Sequence, residues 1–504
     1  MAGFTLQDCL HLWPIHIAET KPVSTFKQIP DSNDMPSTPP NQNLRKKVTT
    51  MKRADEEPTP EAIDAAISQD PLRRHGEVER FLQMLLAVEP PYTILVNAPW
   101  GSGKTFFIKQ IERILRMANP TLEQDSVRLD TLFGDTAKDL LSTSFLPIYF
   151  NAWEDDHFDN PILPILATIA TSVNESAVHG NDDLKKCFGE IIEAAISMKF
   201  GLSLNVNNII EGINGVDFLA SYKEEKQLRS RIDELLRNYL PGIANRAVIF
   251  IDELDRCRPE FAVKVLEQAK TMFQQDNIVV VYSTDISQLA NSLEGIYGPK
   301  FDGVKYLERF YDKRIELNPV KPADYLSIKG INPQAGNIFI NTTIELLDYK
   351  KASLRACNRL ASSISELLNY MLSRQTFYGI NEASAFPKQS LLPVLNVLAY
   401  FEPLSWYEVR AGREYGAVYE LASHSNLFIK CLDNAIENAW GPKKDEFPYN
   451  QDTESRRKRF MDDLCALIYT DDRFDPRIAE LNDDIQYFSP IDQALFHRLT
   501  PPSD

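Results

Sequence analysis

Four short runs of apolar residues, each closing on polar ones, set the pattern of the chain: "TILVN" at 93–97, "FLPIYFN" at 145–151, "AVIFIDE" at 247–253 and "NIVVVYSTD" at 277–285. Uninterrupted runs of this length suit strands buried on both faces of a parallel sheet, with helices as crossovers. After the first run, Phe107, Ile108, Ile111, Ile114 and Leu115 recur at helical spacing, which predicts an amphipathic helix. Residues 59–86 predict two helices, the second with Val78, Phe81, Leu82, Leu85 and Leu86 on one face, packed beside the site that the end of the first run would form. Between the second and third runs lies a long insertion, about 172–245. It holds a charged helical stretch and "FGLSLNVNNI", where Phe200, Leu202, Leu204 and Val206 alternate as in a half-exposed strand or hairpin.

Beyond Pro319 the spacing turns helical, as in "TTIELLDYKKASLRACNRLASSISELLNYML". The expected organisation is a disordered leader over 1–60, an α/β domain over 61–320 carrying the insertion, and a mostly α-helical domain over 321–504. The leader is rich in Pro, Ser, Thr, Asn and Lys and cannot bury enough apolar surface to fold. Helical pattern begins near Met51, so the reading leaves the start open between Met1 and Met51.

Composition narrows the function classes. The 504 residues are 43% hydrophobic and 25% charged, as in a soluble globular protein, and the net charge of −17 makes general attraction to a nucleic-acid backbone the wrong starting point. Cys9, Cys187, Cys257, Cys357, Cys431 and Cys465 form no CxxC pair and read as reduced thiols. The seven histidines show no HExxH spacing. No apolar run approaches the roughly 18 residues needed to cross a bilayer, and the start lacks the marks of a signal peptide. A cytoplasmic location is the expectation.

The chemistry concentrates at the ends of the apolar runs. "APWGSGKT" follows the first: Ala98, Pro99, Trp100, Gly101, Ser102, Gly103, Lys104 and Thr105 match the P-loop pattern GxxxxGK[ST] except that Ala98 stands at the opening glycine. Glycines let successive N–H groups turn toward an anion at a helix N-terminus. Lys104 reaches the β- and γ-phosphates, and the Thr105 hydroxyl binds Mg2+. Alanine at position 98 matters only if the backbone there needs a positive φ. The third run ends in Asp252, placed to hold Mg2+ through water, and Glu253, placed to polarise an attacking water. Ser283, Thr284 and Asp285 close the fourth run, either as polar sensors of the γ-phosphate or as a simple strand-end turn.

In this order, "APWGSGKT", "FNAWEDD", "IFIDELDRCRPEFAVKVLEQAK" and "IYGPKFDGVKYLERFYDKRIELNP" resemble the KAP-type P-loop NTPases over about 70–319, with a weaker match at "KASLRACNRL". The resemblance implies ATP binding with Mg2+ and slow, regulated hydrolysis in a P-loop α/β fold with a mostly parallel sheet. Gly101, Gly103, Lys104 and Thr105 would form the phosphate loop (Walker A), and Asp252 and Glu253 the magnesium and catalytic acids (Walker B). Asp255 and Arg256 belong to the same block, where Arg256 either orders the site or bridges to a neighbouring helix. Asn151, Ala152 and Trp153 match the second block, with Trp153 as a packing anchor. Many members carry transmembrane helices between the two Walker motifs. This insertion lacks the hydrophobicity, so the chain looks like the soluble prokaryotic branch, often found in mobile or phage-defence contexts.

A P-loop site gains on the order of 10³-fold or more from an arginine at the transition state. Arg309 and Arg314 in "YLERFYDKR", and Arg355 and Arg359 in "SLRACNRL", are the candidates; each pair otherwise reads as a solvated or salt-bridged surface. Three functions are then open. The leading one is an ATP-hydrolysing switch or assembly ATPase whose nucleotide state changes the helical domain and a protein partner or self-assembly. The others are a nucleotide-responsive scaffold with little turnover, and a small-molecule kinase with Asp155, Asp156 or Asp159 as acceptor base. ATP over GTP rests on the resemblance and on the lack of an NKxD motif.

Overall fold

The computed structural model describes residues 58–123, 125–158, 160–176, 230, 234, 237–238, 240–333, 337–373, 386–440 and 452–469. The leader up to residue 57, the alternating segment 200–206, most of the insertion, Cys9, Cys187 and Asp159 lie outside them. Five parallel strands form one sheet in the order β2-β3-β4-β1-β5: β1 (Tyr92–Asn97), β2 (Phe145–Asn151), β3 (Arg246–Asp252), β4 (Ile278–Thr284) and β5 (Lys313–Glu316).

The continuous apolar runs follow from burial on both faces. Ile94, Val96, Val248, Phe250, Val279 and Val281 join one core layer; Leu95, Ala247, Ile249, Ile251, Ile278, Val280 and Tyr282 join the other. Alternate residues of one strand feed opposite layers, so neither set can be polar. The first layer is covered by α1 (Pro60–Gln69), α2 (His75–Ala87), α3 (Lys104–Met117), α4 (Ser126–Phe133) and α5 (Asp135–Thr143). The second is covered by α6 (Ile162–Ser176), α7 (Pro259–Met272), α8 (Ile286–Tyr297) and α9 (Gly303–Leu307). Pro147 sits within β2, where an edge position spares the strand one ladder bond.

The fifth strand is absent from the sequence reading. Its residues, "KRIE", sit on the opposite edge with only Ile315 packed inward, so they carry charge where the central strands carry Val and Ile. From Pro322 onward every described element is helical: α10 (Pro322–Ile328), α11 (Ile338–Tyr349), α12 (Leu354–Ser373), a π-helical turn, α13 (Leu392–Phe401), α14 (Pro403–Arg410), α15 (Gly416–Ala422), α16 (Asn426–Trp440) and α17 (Thr453–Tyr469). In α12, Ala356, Cys357, Leu360, Ala361, Ile364 and Leu367 are buried at helical spacing in the core of this region. Cys257, Cys357, Cys431 and Cys465 are free and buried. Among the described residues no helix is long and apolar enough to cross a membrane.

Candidate nucleotide site

Strand β1 delivers the chain into the loop at Ala98, whose N–H donates to the Thr284 carbonyl at 3.4 Å. Ala98 is 1% exposed within the layer that includes Phe107 and Ile108, and the positive-φ residues of the loop are Gly101 (75°) and Gly103 (88°). Ala98 does not need the glycine-only conformation, so its methyl fills core instead of straining the turn. Ala98→Gly is therefore expected to lower stability by about 1–2 kcal/mol, from lost burial and added chain entropy, with no gain in ADP affinity. Chemical unfolding and an ADP titration check this; tighter binding by the variant would show that the methyl obstructs the loop.

The outer side of the loop is packed. A Cβ on Gly101 would come within 3.0 Å of Arg355 Cβ and Ser353 Oγ, and one on Gly103 within 3.1 Å of Leu354 Cδ1. The Arg355 N–H donates to the Gly101 carbonyl at 3.3 Å, so the first turn of α12 rests directly on the phosphate loop. The Lys104 ammonium, at the start of α3, reaches back to the Ala98 carbonyl at 2.6 Å and the Pro99 carbonyl at 3.4 Å. It lies 3.8 Å from the buried Asp255 carboxylate, which also accepts from the Trp100 indole N–H.

The acids arrive from β3. Register sets Asp252 between Asn151 of β2 and Ser283 of β4. Asp252 is 1% exposed; its Oδ2 accepts from the Tyr149 hydroxyl at 3.1 Å and its Oδ1 from the Glu253 N–H at 2.9 Å. Burial, then the charge of Asp252, pushes the Tyr149 phenol upward, so it stays a donor. Glu253 holds φ at 64°, a left-handed conformation costly for a non-glycine residue and common at functional sites. Its Oε1 accepts from the Thr105 hydroxyl at 2.9 Å, and its other oxygen pairs with Arg256. Burial foremost, then the Asp252 charge, raises the Glu253 carboxyl above the usual glutamate range; Arg256 pulls the other way.

Lys104, Thr105, Asp252, Glu253 and Asp255 thus stand together at the C-terminal ends of the strands. Arg256 ion-pairs with Glu253 rather than with a neighbouring helix, and its guanidinium lies 5.3 Å from the centre of the Trp153 ring. Trp153 is 52% exposed, so the buried anchor of its block is Ala152 instead. The hydroxyls of Ser283 and Thr284 are buried without a hydrogen-bond partner, whereas Asp285 caps α8 by accepting from Ser287 and Gln288. Asn97, at the end of β1, bridges the Glu316 carboxylate (2.7 Å) and the Ile286 N–H (2.8 Å).

The candidate arginines separate. Arg355 joins the loop through its backbone, while Arg359, one turn on, is exposed. Arg309 is exposed with its guanidinium near the Tyr306 ring and its carbonyl bonded by Lys270, and Arg314 pairs with Glu316 on β5. Of the acceptor acids, Asp156 takes bonds from the Arg258 backbone and guanidinium at 3.0 and 3.2 Å, and burial raises the Asp155 carboxyl. Sequence reasoning missed Arg74, Tyr149 and Ser353, whose roles come from chain segments far apart, although Tyr149 and Ser353 sit in stretches already singled out.

Two positive-φ glycines ahead of a helix, a lysine and threonine on its first turn, paired acids at the end of β3, separated from β1 by β4, and two unpartnered buried hydroxyls fit a phosphate chain with its cation. The fold and site are those of a P-loop nucleotide-binding protein. The model of the KAP family P-loop domain matches residues 74–325, half of the 504-residue chain, and the chain belongs to that family. Membership implies nucleotide binding and NTPase chemistry. No curated protein matches the chain.

Proposed function

We propose that this protein binds ATP with Mg2+, hydrolyses its β–γ bond, and passes the nucleotide state to the helical region. The observation that carries the reading is the seating of α12 on the loop: Arg355 N–H on the Gly101 carbonyl, with Ser353 and Leu354 against the two glycines. A loop gripped by phosphate on its N–H side and by a helix on its carbonyl side cannot change one contact without biasing the other.

Thr105 and Asp252 would hold the magnesium, Asp252 through water; the bound cation would neutralise charge on the phosphates. Lys104 would leave the Ala98 and Pro99 carbonyls for phosphate oxygens. Glu253 would orient and deprotonate the attacking water, with its carboxylate positioned by the Thr105 hydroxyl. Ser283 and Thr284 would supply hydroxyls to the γ-phosphate side. The arginine at the transition state would come from Arg355 or from Arg309, the latter from a second copy in an assembly. ATP over GTP is drawn from the family resemblance and the lack of an NKxD motif, and phage defence as the setting from the resemblance alone.

A second reading, a scaffold that binds nucleotide but barely turns over, draws on one observation: Glu253 is ion-paired with Arg256 and must be released before acting as a base. Phosphate release from ATP over a protein concentration series, with hydrogen exchange of the α12 amides in ADP and in a non-hydrolysable ATP analogue, tests the proposal. Free phosphate, with exchange at Arg355 differing between the two nucleotides, is expected. A release rate per chain that climbs with concentration would locate the arginine in a partner copy. Binding without release would favour the scaffold, and a phosphorylated acceptor would favour a kinase.

A further inference from the structure

Arg74 stands immediately before α2, where the Asp70 carboxylate accepts its N–H at 2.6 Å and that of His75 at 3.2 Å. Its side chain turns inward and the residue is 5% exposed. One guanidinium nitrogen donates to the Ser102 carbonyl at 3.1 Å and to the Asn318 carbonyl at 2.9 Å. Another lies 3.6 Å from where a Cβ on Gly103 would stand. Glu77 supplies the counter-charge, 3.6 Å from Nε, and accepts the Asn318 N–H at 2.9 Å. Arg74 and Glu77 therefore clasp Asn318 by both its carbonyl and its N–H, just beyond β5 on the way to α10.

A buried guanidinium is costly unless its hydrogen bonds are well spent, and an apolar side chain would fill such a place at lower cost. Here the bonds go to carbonyls of the phosphate loop and of the segment leading to the helical region. In a planar trans peptide the carbonyl and the following N–H point in opposite directions. Holding the Ser102 carbonyl from behind thus fixes the direction of the Gly103 N–H, the amide that enters the N-terminus of α3. That is where a phosphate is gripped in a loop of this kind.

We propose that Arg74 is a positioning residue for the phosphate loop: by bridging Ser102 and Asn318 it aims the Gly103 N–H at the β-phosphate of a nucleoside di- or triphosphate. The proposal rests on the nucleotide reading above. Its substrate-side signature is selectivity for phosphate number, because AMP lacks the β-phosphate that the loop would grip.

The test uses the full chain with Arg74→Gln and Arg74→Lys, titrated with ADP and with AMP, and a thermal unfolding scan of each variant. Losing a charge-assisted bridge should weaken ADP binding by roughly tenfold to a hundredfold in Arg74→Gln, while AMP affinity moves by less than about threefold. Lysine keeps the charge but not the planar fork, so Arg74→Lys should fall between. A purely structural arginine would lower both affinities equally, and that outcome, like an unchanged ADP-to-AMP ratio, overturns the proposal. Should Arg74→Gln fail to fold, the ratio in Arg74→Lys decides: a wild-type ratio overturns the assignment and a reduced one supports it. A wild-type chain that binds no ADP removes the nucleotide reading and this proposal together; wild-type binding with unaltered selectivity in the variants removes the proposal alone.

Discussion

Glu253→Gln is expected to bind ATP as tightly as the unaltered chain and to release phosphate about 10²- to 10⁴-fold more slowly. The amide keeps the size of the side chain and an oxygen for the Thr105 hydroxyl, but it cannot take a proton from water. Single-turnover phosphate release with a parallel binding titration separates the two effects; turnover within a few fold of wild type would remove Glu253 as the base. The raised carboxyl adds a pH signature. Only the ionised form can act as base, so kcat/KM, which reports the free protein, should fall as pH drops through a midpoint above the usual glutamate range, and this limb should vanish in the residual activity of Glu253→Gln. For stability the sign is opposite. A carboxyl whose folded pKa is raised contributes stability that is full below its unfolded pKa and lost as pH rises through the folded one, and the amide variant lacks that loss.

Lys104→Ala is expected to weaken ADP and ATP binding by about 2–4 kcal/mol, roughly 30- to 1,000-fold, by removing charge-assisted bonds to phosphate. The fold should survive. In the structure the ammonium bonds its own loop's carbonyls and faces Asp255, which retains the Trp100 indole N–H when the lysine is gone. A calorimetric ADP titration, with thermal unfolding as control, measures both. Undiminished ADP affinity in a folded Lys104→Ala protein would mean that loop 98–105 does not grip phosphate.

Much of this site was legible because its residues are adjacent in the chain. Gly101, Gly103, Lys104 and Thr105 form one turn and the helix start after it, and Asp252 and Glu253 one strand end; local geometry alone determines what such short runs can do. The central strands were legible for a related reason. Double-sided burial forces continuous Val, Ile and Phe in β3 and β4, whereas β5, an edge strand of "KRIE", carries no such mark.

The amino-acid order by itself determined the P-loop class, the glycine-lysine-threonine turn after β1, the acids where β3 ends and the tolerance question at Ala98, since each depends on backbone conformation and side-chain chemistry within a few residues. Tertiary structure decided the rest. It brought Thr105 to Glu253 and Tyr149 to Asp252, set the first turn of α12 on Gly101, and drew Arg74 onto Ser102 and Asn318. Those pairings join segments up to hundreds of positions apart, and no local pattern encodes them, because a hydrogen bond between distant segments depends on how the intervening sheet and helices pack.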